Sequence, residues 1–159
     1  MIVEENGVWN VPLGKAHEPY RDVRMHRRFA GLPNYTVVIV DAQKFLRFFE
    51  NDGGFVIPPA RKWDKKRLAY HRDKLAPQGR GGSVEMPIAG IEIRDVVHSR
   101  FFGLWKRKCK ETIVSFTNGR HRARYMEYAG ARAFPVEVDV REASMMTALC
   151  GWQGITYQG

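Results

Sequence analysis

The residues best suited to chemistry stand together at Thr117, Asn118, Gly119, Arg120, His121 and Arg122, with Arg124 close behind. Three guanidiniums at alternate positions, a glycine that lets a ligand approach the backbone, and an imidazole titrating near neutrality are groups that hold a phosphate. A helix beginning at Arg120 would add unpaired N–H groups and the positive end of its dipole. Arginine opposes that dipole, so three arginines are better accounted for by an anion that completes the charge balance. The same residues would also make a solvated basic turn, and spacing alone does not separate the two. His121 can likewise act as a general acid or as a hydrogen-bonded structural group.

The flanking residues supply the elements such a turn needs. The β-branched and aromatic run Thr112-Ile113-Val114-Ser115-Phe116 predicts a strand. Asn118 and Gly119 tolerate positive φ and break it. Ala123, Met126 and Ala129 share one helical face, Gly130 is placed to end the helix, and Phe134-Pro135-Val136-Glu137-Val138 predicts a second strand. The unit is strand, glycine turn, basic helix, strand.

Elsewhere the signals vary in strength. Residues 1–34 carry scattered Gly and Pro and read as an irregular segment, with a short basic helix over 21–29. Residues 35–76 hold the strand Tyr35-Thr36-Val37-Val38-Ile39-Val40, with Asp41 as N-cap of a helix to Glu50, and then a basic helix over 61–75. In that second helix Trp63 and Tyr70 could stack on bases among the lysines, or Trp63 and Leu68 could dock a surface helix. The glycine-rich loop 77–83 is the best internal boundary and could cover a site. Residues 86–140 begin with a strand over 87–93. Val97, Phe101, Leu104, Trp105 and Cys109 then fit one helical face. Within 141–159 a terminal helix over 141–149 precedes nine residues with no readable role.

The run Phe-Thr-Asn-Gly-Arg-His-Arg-Ala-Arg (116–124), a helix and Phe-Pro-Val-Glu-Val resemble the signature of the ParB/sulfiredoxin-like superfamily. Within it the sequence is most similar to plasmid fertility inhibition factors. Residues 86–91 and 96–110 share the likeness, which covers about 86–140. The resemblance implies an α/β fold of ParB/sulfiredoxin type: a single domain over 1–159 with a small mixed sheet and flanking helices. It further implies a cytoplasmic bacterial protein that interferes with conjugative DNA transfer. ATP or CTP phosphates, or those of DNA, would be bound at Thr117, Asn118, Gly119, Arg120, His121, Arg122 and Arg124. Some relatives pair this site with Mg²⁺-dependent ATP hydrolysis or DNA cleavage. For that chemistry the carboxylates to search are Asp41, Glu92, Asp95 and Glu111, with His121 as acid. The competing expectation is a non-catalytic basic protein that blocks a component of the conjugation machinery. Sulfiredoxin chemistry is excluded, because Arg120 stands where its nucleophilic cysteine is required. The turn also departs from the CTP-binding Gly-[EN]-Arg-Arg pattern, so it supports phosphate binding but no particular base or sugar.

Composition bounds the remaining readings. A chain of 159 residues is long enough for a real core, and its net charge of +9 calls for an anionic partner such as nucleic acid, nucleotide or an acidic protein surface. No stretch is long and apolar enough to predict membrane insertion. Cys109 and Cys150 lack CxxC spacing and read as reduced thiols, and the five histidines show no paired metal-ligand spacing, so no structural zinc site is expected.

Overall fold

Strand β4 (Tyr35–Asp41) forms where the β-branched run requires it, and it hands the chain directly to helix α1 (Ala42–Phe49). The Asp41 carboxylate caps that helix by accepting from Lys44 N at 2.9 Å. Phe45, Leu46 and Phe49 turn inward, as the 3.6-residue period demands. Phe45 meets Phe116 and Phe134 edge-on, with centroids 5.4 and 5.7 Å apart, and Phe49 meets Phe116 at 4.8 Å. These T-shaped contacts fix the end of the strand that carries Phe116.

The computed structural model describes residues 1–53, 56–76, 82–100, 105–154 and 156–158. It contains two mixed sheets rather than the one small sheet expected. The first has the order β4-β8-β6-β7, where β6 is Ile88–Arg100, β7 is Trp105–Asn118 and β8 is Ala133–Asp139. β4 and β8 pair antiparallel, β8 and β6 meet in parallel at Glu137 and Ile88, and β6 and β7 form an antiparallel hairpin. The second sheet has the order β5-β3-β2-β1-β9, built from β1 (Ile2–Glu5), β2 (Val8–Pro12), β3 (Asp22–His26), β5 (Val84–Glu85) and β9 (Thr156–Gln158). Val11, Val23 and Met25 of this sheet join the same apolar cluster as Val40, Phe45, Phe134 and Val136.

Helix α2 (Lys65–Leu75) starts later than expected, at the Asp64 cap, after a 3-10 turn over Ala60–Lys62. Helix α3 (Arg120–Tyr128) and helix α4 (Val140–Cys150) fall where sequence periodicity puts them. Gly130 at φ +97° ends α3, and Asp139 caps α4. The Glu142 carboxylate on α4 accepts from Ile91 N at 2.9 Å and pins this helix to β6.

Four expectations are overturned. The segment 1–34 is not irregular but supplies three strands. Within it, 21–29 is no helix: Val23 and Met25 are fully buried, while Asp22, Arg24 and His26 between them are not, which is a period of two. The helix expected across 97–109 is instead the distal part of the β6–β7 hairpin, with Val96 opposite Cys109 and Val97 opposite Lys108. Its Phe101 and Leu104 lie outside the described residues, as does the glycine-rich loop apart from Gly82 and Ser83. The C-terminal stretch also has a place, since Gly151 bridges Val40 and β9 runs parallel to β1.

Glu137 joins the two sheets. Its carboxylate is fully buried and accepts from Arg27 Nε (3.1 Å), Arg28 N (3.0 Å) and Phe29 N (3.1 Å). Replacing Glu137 with Ala leaves a largely buried guanidinium and two backbone donors without their acceptor. The expected loss is about 3–5 kcal/mol of stability. A urea melt of Glu137→Ala against the parent chain measures it, and a midpoint shift equal to that of a surface Glu→Ala control would refute it.

Candidate functional site

The turn that precedes α3 is set by backbone geometry. Along the β6–β7 ladder the register shifts between Ile88 and Ala89, which leaves exposed Thr117 as the extra residue of a bulge. Gly119 follows at φ +87°, a left-handed conformation that side chains resist. A Cβ there would stand 2.8 Å from Pro87 Cα, so a second constraint excludes any larger residue. Gly119 is also the N-cap of α3 and offers no side chain to its amides, whereas Asp41, Asp64 and Asp139 cap the other three helices.

This turn opens into a cavity of about 520 Å³. Asn118, Gly119, His121 and Arg122 form one wall, and His71 and Lys74 of α2 face them. His26, Ser83 and Glu85, from β3 and the approach to β5, close the remaining side. His26 Nδ1 lies 2.9 Å from Ser83 Oγ. The rings of His71 and His121 are nearly parallel, at 11° and 5.8 Å between centroids. Trp63 lies behind them, 5.0 Å from His71 and 6.0 Å from His121. Its indole N–H donates to Pro58 O at 2.9 Å, and the Arg67 guanidinium covers its face at 4.2 Å. Trp63 is therefore a buried anchor, and the docked-helix reading of α2 describes it.

Positive charge accumulates around this cavity. Burial, then His121, Arg67, Lys74 and Arg122, lower His71 to about 4. Burial, Arg67 and Arg120 push His121 below its ordinary value as well. Arg122 is lowered by burial and partly restored by the Glu85 carboxylate. Burial is the largest cause in all three, neighbouring cations add to it for the two imidazoles, and Glu85 supplies part of the counter-charge for Arg122.

Of the phosphate ligands expected from sequence, Asn118, Gly119, His121 and Arg122 line the cavity. Thr117 supports it as the bulge residue, and Arg120 opens the helix and acts electrostatically on His121. Arg124 departs from the expectation. It is 3% exposed, pairs with Glu50 at 3.1 Å, lies over the Phe49 ring and lines a separate cavity of about 220 Å³. One helical turn beyond Arg120, its side chain is directed to α1.

The four carboxylates also lie elsewhere. Asp41 caps α1, Glu92 pairs with Arg94, Asp95 is opposite Lys110 on the exposed hairpin, and Glu111 contacts Cys109 Sγ at 3.7 Å. The carboxylate lining the cavity is Glu85, which no sequence signal marked. Buried His17, with Nδ1 3.1 Å from Tyr125 Oη, was missed for the same reason. It holds the 3-10 turn Lys15–His17 against α3. Among the described residues no group of three His, Cys, Asp or Glu side chains is arranged to hold a metal ion. None of the described helices is long and apolar enough to cross a membrane.

The profile of the family described as plasmid fertility inhibition factor matches residues 37–151, most of the chain and all of the turn unit. This chain belongs to that family. The solved structure of Oncogenic Suppression Activity Protein, a plasmid fertility inhibition factor in its gold(I) cyanide derivative, superposes with a TM-score of 0.62. It is 20% identical over 95% of this chain and 74% of that one, so the likeness concerns the fold alone. No curated protein matches the sequence.

The half-buried imidazole of His71 makes stability depend on pH. His71 binds its proton at about 4 when folded, against an ordinary value of 6.5. Between these values the unfolded chain holds more protons, so stability is complete above pH 6.5 and declines as pH falls towards 4. Urea midpoints across that range should fall, and fall less in His71→Gln. Parallel declines in the two proteins would remove His71 as the source.

Proposed function

We propose that this fertility inhibition factor binds the phosphates of a nucleotide in the Gly119 cavity, and that this binding is required for its inhibition of conjugative DNA transfer. The observation that carries the reading is the convergence of Arg122, the uncapped N-terminus of α3 and the depressed His71–His121 pair on one cavity. A phosphate there would accept from first-turn amides and from Arg122, and its charge would favour protonation of the two imidazoles. ATP and CTP are the ligands to test, because the sequence of the turn points to no particular base. Its volume of about 520 Å³ is in the range of small-molecule sites.

Arg122→Ala removes a charge-assisted contact worth about 1.5–3 kcal/mol, roughly ten- to a hundredfold in affinity. Calorimetric titration of ATP and CTP into both proteins, at low and neutral pH, reads this directly. Binding should also take up protons, so that heats differ between buffers of different ionisation enthalpy. Equal affinities for the parent and the variant would place the site elsewhere. In cells, the same substitution should restore plasmid transfer.

Turnover rests on a further group. Glu85 lines the cavity, and in this reading it would orient a water or share a Mg²⁺ with a bound phosphoryl group while Arg122 stabilised developing charge. Hydrolysis of ATP or plasmid DNA would then require divalent metal and be lost in both Glu85→Gln and Arg122→Ala. Product formed with chelator present, or retained in both variants, would come from a contaminant. No product under Mg²⁺ or Mn²⁺ leaves binding as the function, exerted on a protein of the conjugation machinery.

A further inference from the structure

The hairpin of β6 and β7 outgrows the fold that carries it. Ile91 and Val114 are its last members in the apolar cluster. Past the next pair, Glu92↔Ile113, the ladder continues through eight more opposed pairs, from Ile93↔Thr112 to Arg100↔Trp105. At about 3.4 Å per residue this is a ribbon roughly 27 Å long. Ile93 and Val97 are 54% and 51% exposed, and none of its described side chains is buried. A two-stranded ribbon of this kind is marginal in water on its own, so its length calls for a partner.

Charge identifies the partner. Positions 93–112 hold six Lys or Arg against two acidic residues, a net +4 out of the chain's +9. Lys108 and Lys110 project from one side of β7 and Arg107 from the other, since neighbouring residues alternate across a strand. Cations on both faces do not suit a flat surface, which meets one face only. They suit a groove with a phosphate wall on either side. The two lysines are about 6.8 Å apart, close to two nucleotide steps along one strand of a duplex. The major groove, about 12 Å wide, admits a two-stranded ribbon. We infer that the β6–β7 ribbon is an arm that lies in the major groove of duplex DNA and anchors the protein to it through backbone phosphates.

The arm is separate from the nucleotide cavity, and one experiment reads the two apart. Anisotropy of a fluorescein-labelled random-sequence duplex is followed between about 50 and 200 mM salt for the full chain, for Lys108→Gln/Lys110→Gln and for Arg122→Ala. The double variant should bind at least tenfold more weakly, with a log–log salt slope shallower by about 1.8, or 0.9 for each phosphate no longer neutralised. Arg122→Ala should keep both affinity and slope, whatever it does to ATP binding. Methyl green, which occupies the major groove, should displace the protein, and distamycin, a minor-groove ligand, should not. Both substituted lysines are exposed, and an unchanged thermal melt confirms that the fold is kept. An unaltered slope in the double variant overturns the proposal, as does displacement by distamycin alone. Binding to phosphatidylserine vesicles without binding to duplex overturns it too.

Discussion

A single buried carboxylate holds the two sheets in register. Glu137 has no exposed surface, and its two oxygens are used by one guanidinium and two backbone amides at the end of β3. An ionised group in that position is tolerable only because both oxygens have donors. The constraint spreads outward from there. Arg27, held by Glu137, donates to Tyr35 O at 2.6 Å and so sets the start of β4. Glu137 N donates to Pro87 O at 2.8 Å, and Glu137 lies beside Ile88, whose partner on β7 is Asn118. One row of residues therefore runs across three strands from the buried carboxylate to the rim of the cavity. On the other side, His26 precedes Arg27, bonds to Ser83 and accepts from Met86 N, so the far wall is fixed by the same point.

The elements legible in the sequence were those with strong local signals. β4 and β8 follow β-branched or apolar runs, α1, α3 and α4 follow helical patterns, and all five form where the sequence puts them. The hairpin was hidden because Val97, Phe101, Leu104, Trp105 and Cys109 satisfy a helical stripe, while the strand ladder depends on partners that sequence order does not reveal. β3 is a different case. Its alternation of buried Val23 and Met25 with more exposed neighbours was present, but its density of basic residues drew attention to charge instead of period. The second sheet was invisible as a sheet, since its strands come from both ends of the chain and from Val84–Glu85.

The site divides along the same line. Asn118, Gly119, His121 and Arg122 are neighbours in sequence, and one turn can be read as one turn. His26, His71, Ser83 and Glu85 come from three other segments and meet only after the sheets pack. Arg124 shows the limit of reading by proximity. Four residues past Arg120 it lies on a similar helical face, yet the packing of α3 on α1 gives it Glu50 and Phe49 as neighbours. The helix start is open to solvent on the cavity side, while its second turn is enclosed, and the chemistry of each arginine follows from that difference.

The chain's charge is concentrated by strand geometry more than by composition. β7 ends at the cavity with Asn118 and carries Lys108 ten residues earlier, a separation of about 30 Å along the strand. Physiological salt screens exposed charges over about 8 Å, so the ribbon and the cavity do not feel each other's field. What they share is a support. β7 is held at its cavity end by Phe116 against Phe45 and Phe49, and by the Ile88 register shift. Phe45 and Phe49 belong to α1, and Glu50 at the end of that helix pairs with Arg124 of α3. Both α3 and the base of the ribbon thus rest on α1, so one helix positions two basic surfaces that are electrostatically independent.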